Sequence, residues 1–449
     1  MNIVIVGGGL VGSTLSEKLS RDGHDVSLID QDGDRIREIS ETLDIQALQG
    51  NGATAPVLRR AGVEEANLVV ATTNSDEANM IVGMLSAFVF GVPRIVVRLR
   101  DAGHAEGFAL IGQDHPAERV WVNPDQASVD RISALLEVPG AVDVVTFMEG
   151  NLLVAGFRIR ASSDFAGMRV SDMNLLFAAT PTLAVAIHRR DDWIIPHGGE
   201  EIADGDLVYF AISREHLHDV LSLVGVPKDQ RNNVMIAGAG PVGLQLAKRL
   251  GRADVPVVLI EEDEELAYNA SEDLGDALVI RGLATDPDLL EEEGIGQIST
   301  FVAVGDDHES NLVAGLLAKR LGAGRAVVLV DNPGLVDLVA QIGIDAIISP
   351  RLLVIGLALQ HIRGGRVRLV AQLLEDQIEI VEAEVVKGSH LTRAALSDLK
   401  IPRGVLVAAM RRGEKLLVPR GSNRAEPGDR VLLITTTDNA SNLGDFLSE

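Results

Sequence analysis

The sequence predicts an α/β protein with two Rossmann-like, doubly wound parallel sheets, each followed by a small α+β C-terminal module, in an A–B–A′–B′ tandem repeat. Two observations predict this fold. A glycine-rich signature occurs twice, as IVIVGGGLVG near the start and as VMIAGAGPVG 231 residues later. In each copy it lies between an apolar run and an amphipathic stretch, and such runs and stretches then alternate. This alternation is typical of parallel sheets with right-handed crossovers.

The predicted elements follow the same order in both halves. In the first half, apolar runs predict strands at 2–6, 25–29, 45–48, 68–71, 94–99 and 119–122. In the second half they predict strands at 233–237, 255–260, 277–280, 300–304, 325–330 and 345–348. Helical patterns at 126–140 and 352–365 follow the sheets.

Each helical pattern leads into a segment of short strands broken by turn signals. The two segments share a motif near their ends, ADGDLVYFAI (203–212) and EPGDRVLLIT (426–435). They also share an apolar run with charged residues before a proline, at 183–196 and 405–419. The repeat therefore covers the chain, with predicted domains 1–124, 141–228, 232–350 and 366–449, and linking helices 125–140 and 351–365.

Composition restricts the class of protein. The 449 residues contain no cysteine, which excludes disulfides, thiol nucleophiles and thiolate metal sites. A formal charge of −25 argues against binding nucleic acid through its phosphates. The longest apolar runs are shorter than the roughly 20 residues that a membrane-spanning helix needs. With no export signal at the start, we expect a cytoplasmic protein.

The glycine motifs predict nucleotide binding. In such a loop the first glycine allows a tight turn, the second admits a pyrophosphate, and the third lets helix and strand pack closely. The unpaired N–H groups at the helix N-terminus then hold the anion. Asp30 and Glu261 end the next apolar runs and would bind ribose hydroxyls, which favours NAD(H) over NADP. An alternative is that the second copy is only a packing element.

The two halves differ beyond the glycine loops. Thr73 and Asn74 follow the fourth strand of the first half, whereas Gly305 aligns with Thr73. Asn311 stands opposite Asn79 in the repeat. Arg98 ends the fifth strand, where it would either bind a phosphate or form an ion pair at the surface. At the corresponding position the second half has Leu329 or Val330. These differences predict two nucleotide sites of unequal affinity or preference.

No arrangement of residues predicts an enzyme. The chain has no GxxxxGK[ST] loop, GxSxG elbow or HExxH spacing, and its ten histidines are scattered. Hydride transfer from a nicotinamide needs a positioned acid or base. We therefore expect no catalytic residue and no metal site, and a sensor of nucleotides. A two-domain NAD-dependent oxidoreductase remains the alternative.

The chain resembles one known family. The tandem plan, the paired glycine motifs, the segments LRRAGV (58–63) and TTNSDEAN (72–79), and the closing PGDRVLLIT are similar to the peripheral nucleotide-binding subunit of the Trk potassium uptake system. This is the TrkA family, with tandem regulator-of-conductance domains. Many members carry Gly-Asp-Ala-Thr after the third strand. This chain has GNGA (50–53) and GLAT (282–285), without the acid.

The resemblance implies two sites for NAD(H), with ATP or ADP as further ligands. The first site would comprise Gly7, Gly8, Gly9, Leu10, Val11, Gly12, Asp30, Thr73, Asn74 and Arg98. The second would comprise Gly238, Ala239, Gly240, Pro241, Val242, Gly243 and Glu261. It also implies a homodimer or homotetramer forming a ring beneath a membrane-embedded potassium transporter, on the inner face of the plasma membrane. Regulation of another cation channel is the alternative.

Overall fold

A computed structural model describes residues 1–177, 182–190, 192–225, 232–275, 277–331, 343–362, 367–373, 378–399, 401 and 404–436. The chain begins with a parallel sheet of six strands in the order β3-β2-β1-β4-β5-β6. Its strands are β1 Asn2–Val6, β2 Asp25–Asp30, β3 Gln46–Gln49, β4 Leu68–Ala71, β5 Arg94–Arg98 and β6 Glu118–Val122. Its helices are α1 Leu10–Arg21, α2 Gly33–Thr42, α3 Ala55–Arg60, α4 Asp76–Met84 and α5 Ala102–Leu110. Helix α4 continues as a π-helical turn, Leu85–Val89.

Both faces of the first sheet are buried, which explains its nearly continuous apolar strands. Alternate residues of β1 enter different clusters, because successive side chains of a strand point to opposite faces. Ile3 and Ile5 pack in the cluster that contains α1, whereas Val4 and Val6 pack in the cluster that contains α4 and α5. The first face is also covered by Ile355 and its neighbours from the linking helix α13, Pro350–Ile362.

The second parallel sheet repeats the first, in the order β14-β13-β12-β15-β16-β17. Its strands are β12 Val234–Ala237, β13 Val257–Glu261, β14 Leu278–Arg281, β15 Thr300–Ala303, β16 Arg325–Leu329 and β17 Ala346–Ile348. Its helices are α9 Pro241–Arg252, α10 Glu264–Leu274, α11 Pro287–Glu292 and α12 His308–Arg320. All twelve predicted strands of the two sheets are present. The strand predicted at 255–260 starts later, at Val257. The Val255 N–H donates to the Leu250 carbonyl oxygen in the turn after α9, and Pro256 has no N–H, so neither residue can donate to the sheet.

The linking helices begin earlier than predicted. Helix α6 spans Pro124–Leu136 and α13 starts at Pro350, because proline fits the first turn of a helix. The amides of Asp125 and Gln126 also donate to the Asn123 side chain, at 2.9 and 3.0 Å. The predicted end of the second helix, residues 363–365, lies outside the described residues.

The two small modules are antiparallel sheets of five strands, ordered β10-β9-β11-β8-β7 and β18-β19-β22-β20-β21. The first contains β7 Ala141–Phe147, β8 Leu152–Arg158, α7 Val170–Leu176, β9 Thr182–Arg189, β10 Asp192–Ile194, β11 Leu207–Ser213 and α8 Leu217–Val224. The second contains β18 Val367–Leu373, β19 Ile378–Glu384, β20 Val405–Arg412, β21 Lys415–Leu417 and β22 Arg430–Thr436. Their sheets share one apolar core, in which Val154 and Ala211 of the first pack with Ile380 and Ile434 of the second.

The motif that the modules share forms an ion pair. In the first module, Arg189 binds both carboxylate oxygens of Asp206, at 2.9 and 2.7 Å. In the second, Arg412 binds Asp429 in the same way, at 2.9 and 2.8 Å. Both aspartates are buried, and such bidentate pairs are among the stronger hydrogen-bonded pairs in proteins. The repeated Gly-Asp of the sequence therefore has a structural role.

Two compact units describe the chain. One comprises Met1–Ala127 with the helix α13, and the other comprises Ser128–Ser349 with the second module. In the second unit, helix α6 joins the second parallel sheet, since Arg249 of α9 pairs with Asp130 at 2.7 Å. No helix in the described part of the chain is both long enough and apolar enough to cross a membrane.

Candidate functional site

The first glycine loop, Gly7–Gly12, connects β1 to α1 at the carboxyl edge of the sheet. Gly7 has a φ of +107°, and a Cβ atom there would lie 2.9 Å from the main chain of Thr72 and Thr73. A Cβ on Gly12 would lie 1.8 Å from the Gly7 carbonyl oxygen. Gly9 differs, because a Cβ there would meet no atom within 4 Å. Gly7 and Gly12 are thus required by the fold, whereas Gly9 opens onto free space.

Asp30 holds this loop in place. Its carboxylate accepts from the Gly8 N–H at 2.6 Å and from the Asp32 N–H at 2.8 Å. The Arg35 guanidinium lies 3.3 Å away. A carboxylate has about four acceptor positions, so Asp30 can brace the loop and still accept from a ribose hydroxyl. The sequence predicted the ribose contact but not the bond to the loop.

The second glycine loop, Gly238–Gly243, has the same geometry. Gly238 also has a φ of +107°, and a Cβ on Gly243 would lie 1.9 Å from the Gly238 carbonyl oxygen. Glu261 accepts from the Ala239 N–H at 2.5 Å and from the Asp263 N–H at 3.0 Å. A Cβ on Gly240 would again meet nothing within 4 Å. Both copies therefore form an open cradle of main-chain N–H groups. We call them the first and second cradle.

The helices that start at these cradles lack side-chain caps. Among the described residues, seven other helices have a side chain at the N-terminus that accepts from main-chain N–H groups, namely Asp32 of α2, Ser75 of α4, Asp101 of α5, Asn123 of α6, Asp263 of α10, Asp286 of α11 and Asp307 of α12. The short helices α3 and α8 lack such a cap. The N-caps of α1 and α9 are Gly9 and Gly240, and no described side chain caps either helix. Their first N–H groups and the positive end of the helix dipole are thus available to an anion.

Two capping carboxylates nearby are stabilised as anions. Hydrogen bonds from the amides of Arg35 and Asp34 lower the pKa of Asp32. A hydrogen bond from the Ser310 hydroxyl lowers the pKa of Asp307. Both carboxylates therefore remain charged at neutral pH.

Two asparagines close the edge of the sheets beside the cradles. Asn79 accepts from the Thr73 N–H at 2.9 Å and donates to the carbonyl oxygens of Thr73 and Arg98, at 3.1 and 2.9 Å. Asn311 accepts from Gly305 at 2.9 Å and donates to Gly305 and Leu329, at 2.8 and 3.0 Å. The alignment of the two asparagines was visible in the sequence, but their role was not. Each joins the ends of two neighbouring strands.

The remaining predicted residues lie at this edge with different exposures. Leu10 is exposed on the first turn of α1, and Pro241 occupies the same position of α9. Asn74 is exposed after β4, and Arg98 is half-buried at the end of β5. Val11 and Val242 are buried. We therefore expect these two valines to contact a ligand only through their main chain.

The described residues contain no group of three or more His, Asp or Glu side chains that could hold a metal ion. The cradles offer main-chain hydrogen bonds to an anion, next to a carboxylate for hydroxyl groups.

Comparison with known proteins identifies the family. The TrkA-N domain matches residues 3–117 and 234–350, and the TrkA-C domain matches residues 154–225 and 380–448. The chain is 33% identical over 436 residues to the Trk system potassium uptake protein TrkA of Halomonas elongata, which covers 96% of this chain and 95% of that protein. It is 31% identical over 442 residues to the protein of the same name from Azorhizobium caulinodans, covering 98% and 96%.

Solved structures share the fold at lower identity. The RCK domain of GsuK superposes with a TM-score of 0.62 at 20% identity, covering 99% of this chain and 94% of that chain. The GsuK channel bound to NAD gives the same TM-score and identity, covering 99% and 78%. The predicted tandem of Rossmann-like and C-terminal domains is confirmed, as is the prediction that the chain is not an enzyme. The chain belongs to the TrkA family of Trk system potassium uptake proteins, with TrkA-N and TrkA-C domains in tandem.

Proposed function

We propose that this chain is the cytoplasmic regulatory subunit of a Trk-type potassium uptake system. It binds NAD(H) and adenine nucleotides in the two cradles and controls potassium transport by a membrane-embedded partner. One observation carries the nucleotide part of the proposal: α1 and α9 lack a side-chain cap where Gly9 and Gly240 face open space.

The ligand class follows from the groups around each cradle. Main-chain N–H groups at a helix N-terminus suit a pyrophosphate, and Asp30 and Glu261, which bond the loops, would accept from ribose hydroxyls. Among structures with the same fold, GsuK has been solved bound to NAD and bound to ADP. An unphosphorylated ribose suits a carboxylate better than a 2′-phosphate does, so we favour NAD(H), ATP and ADP over NADP.

The membrane partner follows from the family, because the relatives are named as potassium uptake proteins. The chain would then be peripheral on the inner face of the plasma membrane, held there by that partner. The relatives above 30% identity belong to Trk systems, whereas GsuK shares only 20%. Regulation of uptake is therefore preferred over regulation of another cation channel.

A homodimer or homotetramer is supported by exposed apolar side chains. In the segment 78–91, which has an apolar stripe, Ile81, Phe88 and Val89 are 45, 43 and 59% exposed. In the matching segment of the second half, 311–322, Val313 is 53% exposed. Exposed apolar patches mark interaction sites, so we infer that these segments contribute to contacts between units. Nucleotide binding would shift the balance between two arrangements of such a ring by its difference in affinity for them.

The experiment that tests the proposal fills the cradles without straining the fold. Gly9→Val and Gly240→Val place a side chain in open space, at residues whose φ of −68° and −63° valine can adopt. Gly251→Val, in open space at the other end of α9, is the control. Calorimetry on purified protein is expected to show binding of NADH and ATP by the wild type and by the control only.

The same variants test transport. Potassium uptake by cells or vesicles that contain the cognate transporter is expected to respond to nucleotide with the control and not with the double variant. Normal binding of both nucleotides by the double variant would show that the cradles are not the sites. Steady NADH oxidation with one small substrate would favour the dehydrogenase alternative.

A further inference from the structure

The two cradles share one main-chain geometry, so any difference in ligand preference must come from the side chains around them. The hydrogen bonds that brace the two loops have nearly equal lengths. The Gly8 N–H lies 2.6 Å from Asp30, and the Ala239 N–H lies 2.5 Å from Glu261. At the sheet edges, Asn79 accepts from the Thr73 N–H and Asn311 accepts from the Gly305 N–H, and both distances are 2.9 Å.

Topology shows which side chains face the distal part of a nucleotide. In the order β3-β2-β1-β4-β5-β6, the ribose acceptor Asp30 ends β2 and the glycine loop follows β1. A nucleotide with its ribose at β2 and its phosphates at the loop extends across the switch point towards the ends of β4 and β5. The residues that follow β4 and β5 therefore face the distal part of the nucleotide, which is the terminal phosphates of ATP or the nicotinamide of NAD⁺. In the second half, the residues that follow β15 and β16 have this position.

At those positions the two halves carry opposite charge. The first edge has Asn74 after β4, Arg98 at the end of β5, and the exposed Arg100 shortly after. The corresponding residues of the second edge are Asp306, Leu329 and Asp331. At these three positions the first edge therefore has two arginines, and the second has two aspartates.

The other acids of these edges stay charged, but they occur in both halves and do not reverse the difference: Asp76, Glu77 and Asp101 lie at the first edge, and Asp307 and Glu309 lie at the second. Asp76 accepts from the amides of Arg100 and Asp101, both at 2.8 Å, and Asp101 accepts from His104 at 2.9 Å. In the second half, Asp307 similarly accepts from the Ser310 amide at 3.0 Å. Asp331 accepts from the Ser349 hydroxyl at 3.0 Å, and Asp306 is exposed.

We propose that the cradles are selective for different nucleotides, the first for a nucleoside triphosphate or diphosphate with anionic distal phosphates, and the second for a dinucleotide with an uncharged or cationic distal group. This rests on the proposed nucleotide binding. Arginines at the first edge attract the terminal phosphates of ATP, whereas aspartates at the second edge repel them. The nicotinamide of NAD⁺ carries a positive charge and is tolerated at the second edge. One chain could thus bind ATP and NAD⁺ at the same time.

Single-cradle proteins test this selectivity. Full-length Gly240→Val retains the first cradle, full-length Gly9→Val retains the second, and Gly251→Val is the control. Calorimetric titration with ATP and with NAD⁺, without divalent cations, gives the ratio of the two dissociation constants for each protein. We expect the ratio to differ by at least about tenfold, with ATP preferred by the first cradle. ATP binding to the first cradle should also weaken as salt is added.

Exchanging the charged residues separates charge from other causes. In Gly9→Val, the further changes Asp306→Asn and Leu329→Arg should strengthen ATP binding about tenfold. In Gly240→Val, the further changes Asn74→Asp and Arg98→Leu should weaken it by a similar factor. In both sets of variants the affinity for NAD⁺ should change less than about threefold. An unchanged affinity for NAD⁺ would show that the cradles are intact.

The outcomes distinguish this inference from the proposed function. If both single-cradle proteins bind nucleotides with the same ATP-to-NAD⁺ ratio, or if the charge exchange leaves that ratio unchanged, the selectivity is refuted and nucleotide binding stands. If the wild type binds neither nucleotide, the proposed function itself fails.

Discussion

Arg94 donates to the main-chain carbonyl oxygen of His361 at 3.0 Å and so ties the start of β5 to the last turn of α13. Arg325 stands 231 residues later, at the start of β16. It donates to the carbonyl oxygen of Leu135, at 3.1 Å in the last turn of α6, and to that of Ala141. Each arginine thus places a positive charge at the C-terminus of a linking helix, where the helix dipole favours it.

The same two strands end at the cradles. The carbonyl oxygen of Arg98 at the end of β5 accepts from Asn79, and that of Leu329 at the end of β16 accepts from Asn311. One strand in each half therefore connects the edge of a nucleotide cradle to a linking helix. The first strand contacts the second linking helix of the chain, and the second strand contacts the first.

Arg325→Met is expected to destabilise its unit more than Arg94→Met destabilises the other. Burial of Arg325 lowers its pKa to about 10, although the charge of Asp345 opposes this. Its loss removes the donor to two carbonyl groups, at a cost of about 1–3 kcal/mol each. Arg94 is half-buried, and we expect the loss of its bond to the His361 carbonyl to cost about 1 kcal/mol. Hydrogen exchange in α6 and α13, with urea unfolding, measures both effects. Equal losses would contradict the difference in burial.

Gly12→Ala is expected to unfold the first Rossmann-like domain, whereas Gly9→Ala leaves it folded. The new Cβ at residue 12 would lie 1.8 Å from the Gly7 carbonyl oxygen, and main chain cannot move aside cheaply. At residue 9 it would meet nothing within 4 Å. Circular dichroism and thermal unfolding distinguish the two, with Gly243→Ala and Gly240→Ala as the matched pair in the second half. A stable Gly12→Ala protein with normal melting would refute the packing argument.

Asn79→Asp is expected to destabilise the first Rossmann-like domain and weaken nucleotide binding to it. The aspartate keeps an acceptor for the Thr73 N–H but removes both donors, to Thr73 and to Arg98. It also leaves a charge at a position that is 0% exposed. We expect a loss of about 3 kcal/mol, measured by thermal unfolding and calorimetry. Asn311→Asp should affect only the second domain, and an effect on both would contradict the local role.

The contact between the two modules should depend on pH through Glu149. Hydrogen bonds from Arg430 and then Arg411 lower the pKa of Glu149 below its ordinary value of 4.5. The folded state therefore binds this proton less readily than the unfolded state, so the stabilisation is present above about pH 4.5 and is lost as the pH falls through the folded-state pKa.

Glu149→Gln tests this dependence. The variant should melt at a lower temperature than the wild type at pH 7, and the difference should shrink below pH 4.5. Glu414→Gln is the control, because its carboxylate is exposed and lies 3.4 Å from Arg411 alone. A difference in melting temperature that stays constant down to pH 3 would exclude ionisation of Glu149 as the cause.

Much of the fold could be predicted because its signals are local. The glycine loops, the terminal acids of β2 and β13, and the alternation of strands and helices each depend on residues close in sequence, where turn geometry and side-chain periodicity act directly. The repeat strengthened every such inference, since Gly7 and Gly238 adopt the same φ of +107°. The repeated Gly-Asp motif was also visible, although its arginine partners were not assigned.

The sequence by itself thus determined the two glycine loops, the tandem order of domains and the residues at each sheet edge. Only the tertiary structure decided that Asp30 and Glu261 brace their own loops, that Asn79 and Asn311 join neighbouring strands, and that α13 packs on the first sheet while α6 pairs with α9. The physical reason is distance along the chain. Periodicity shows which face of a helix is apolar but not which of two similar sheets will bury it, and that choice depends on contacts such as Arg94 with His361.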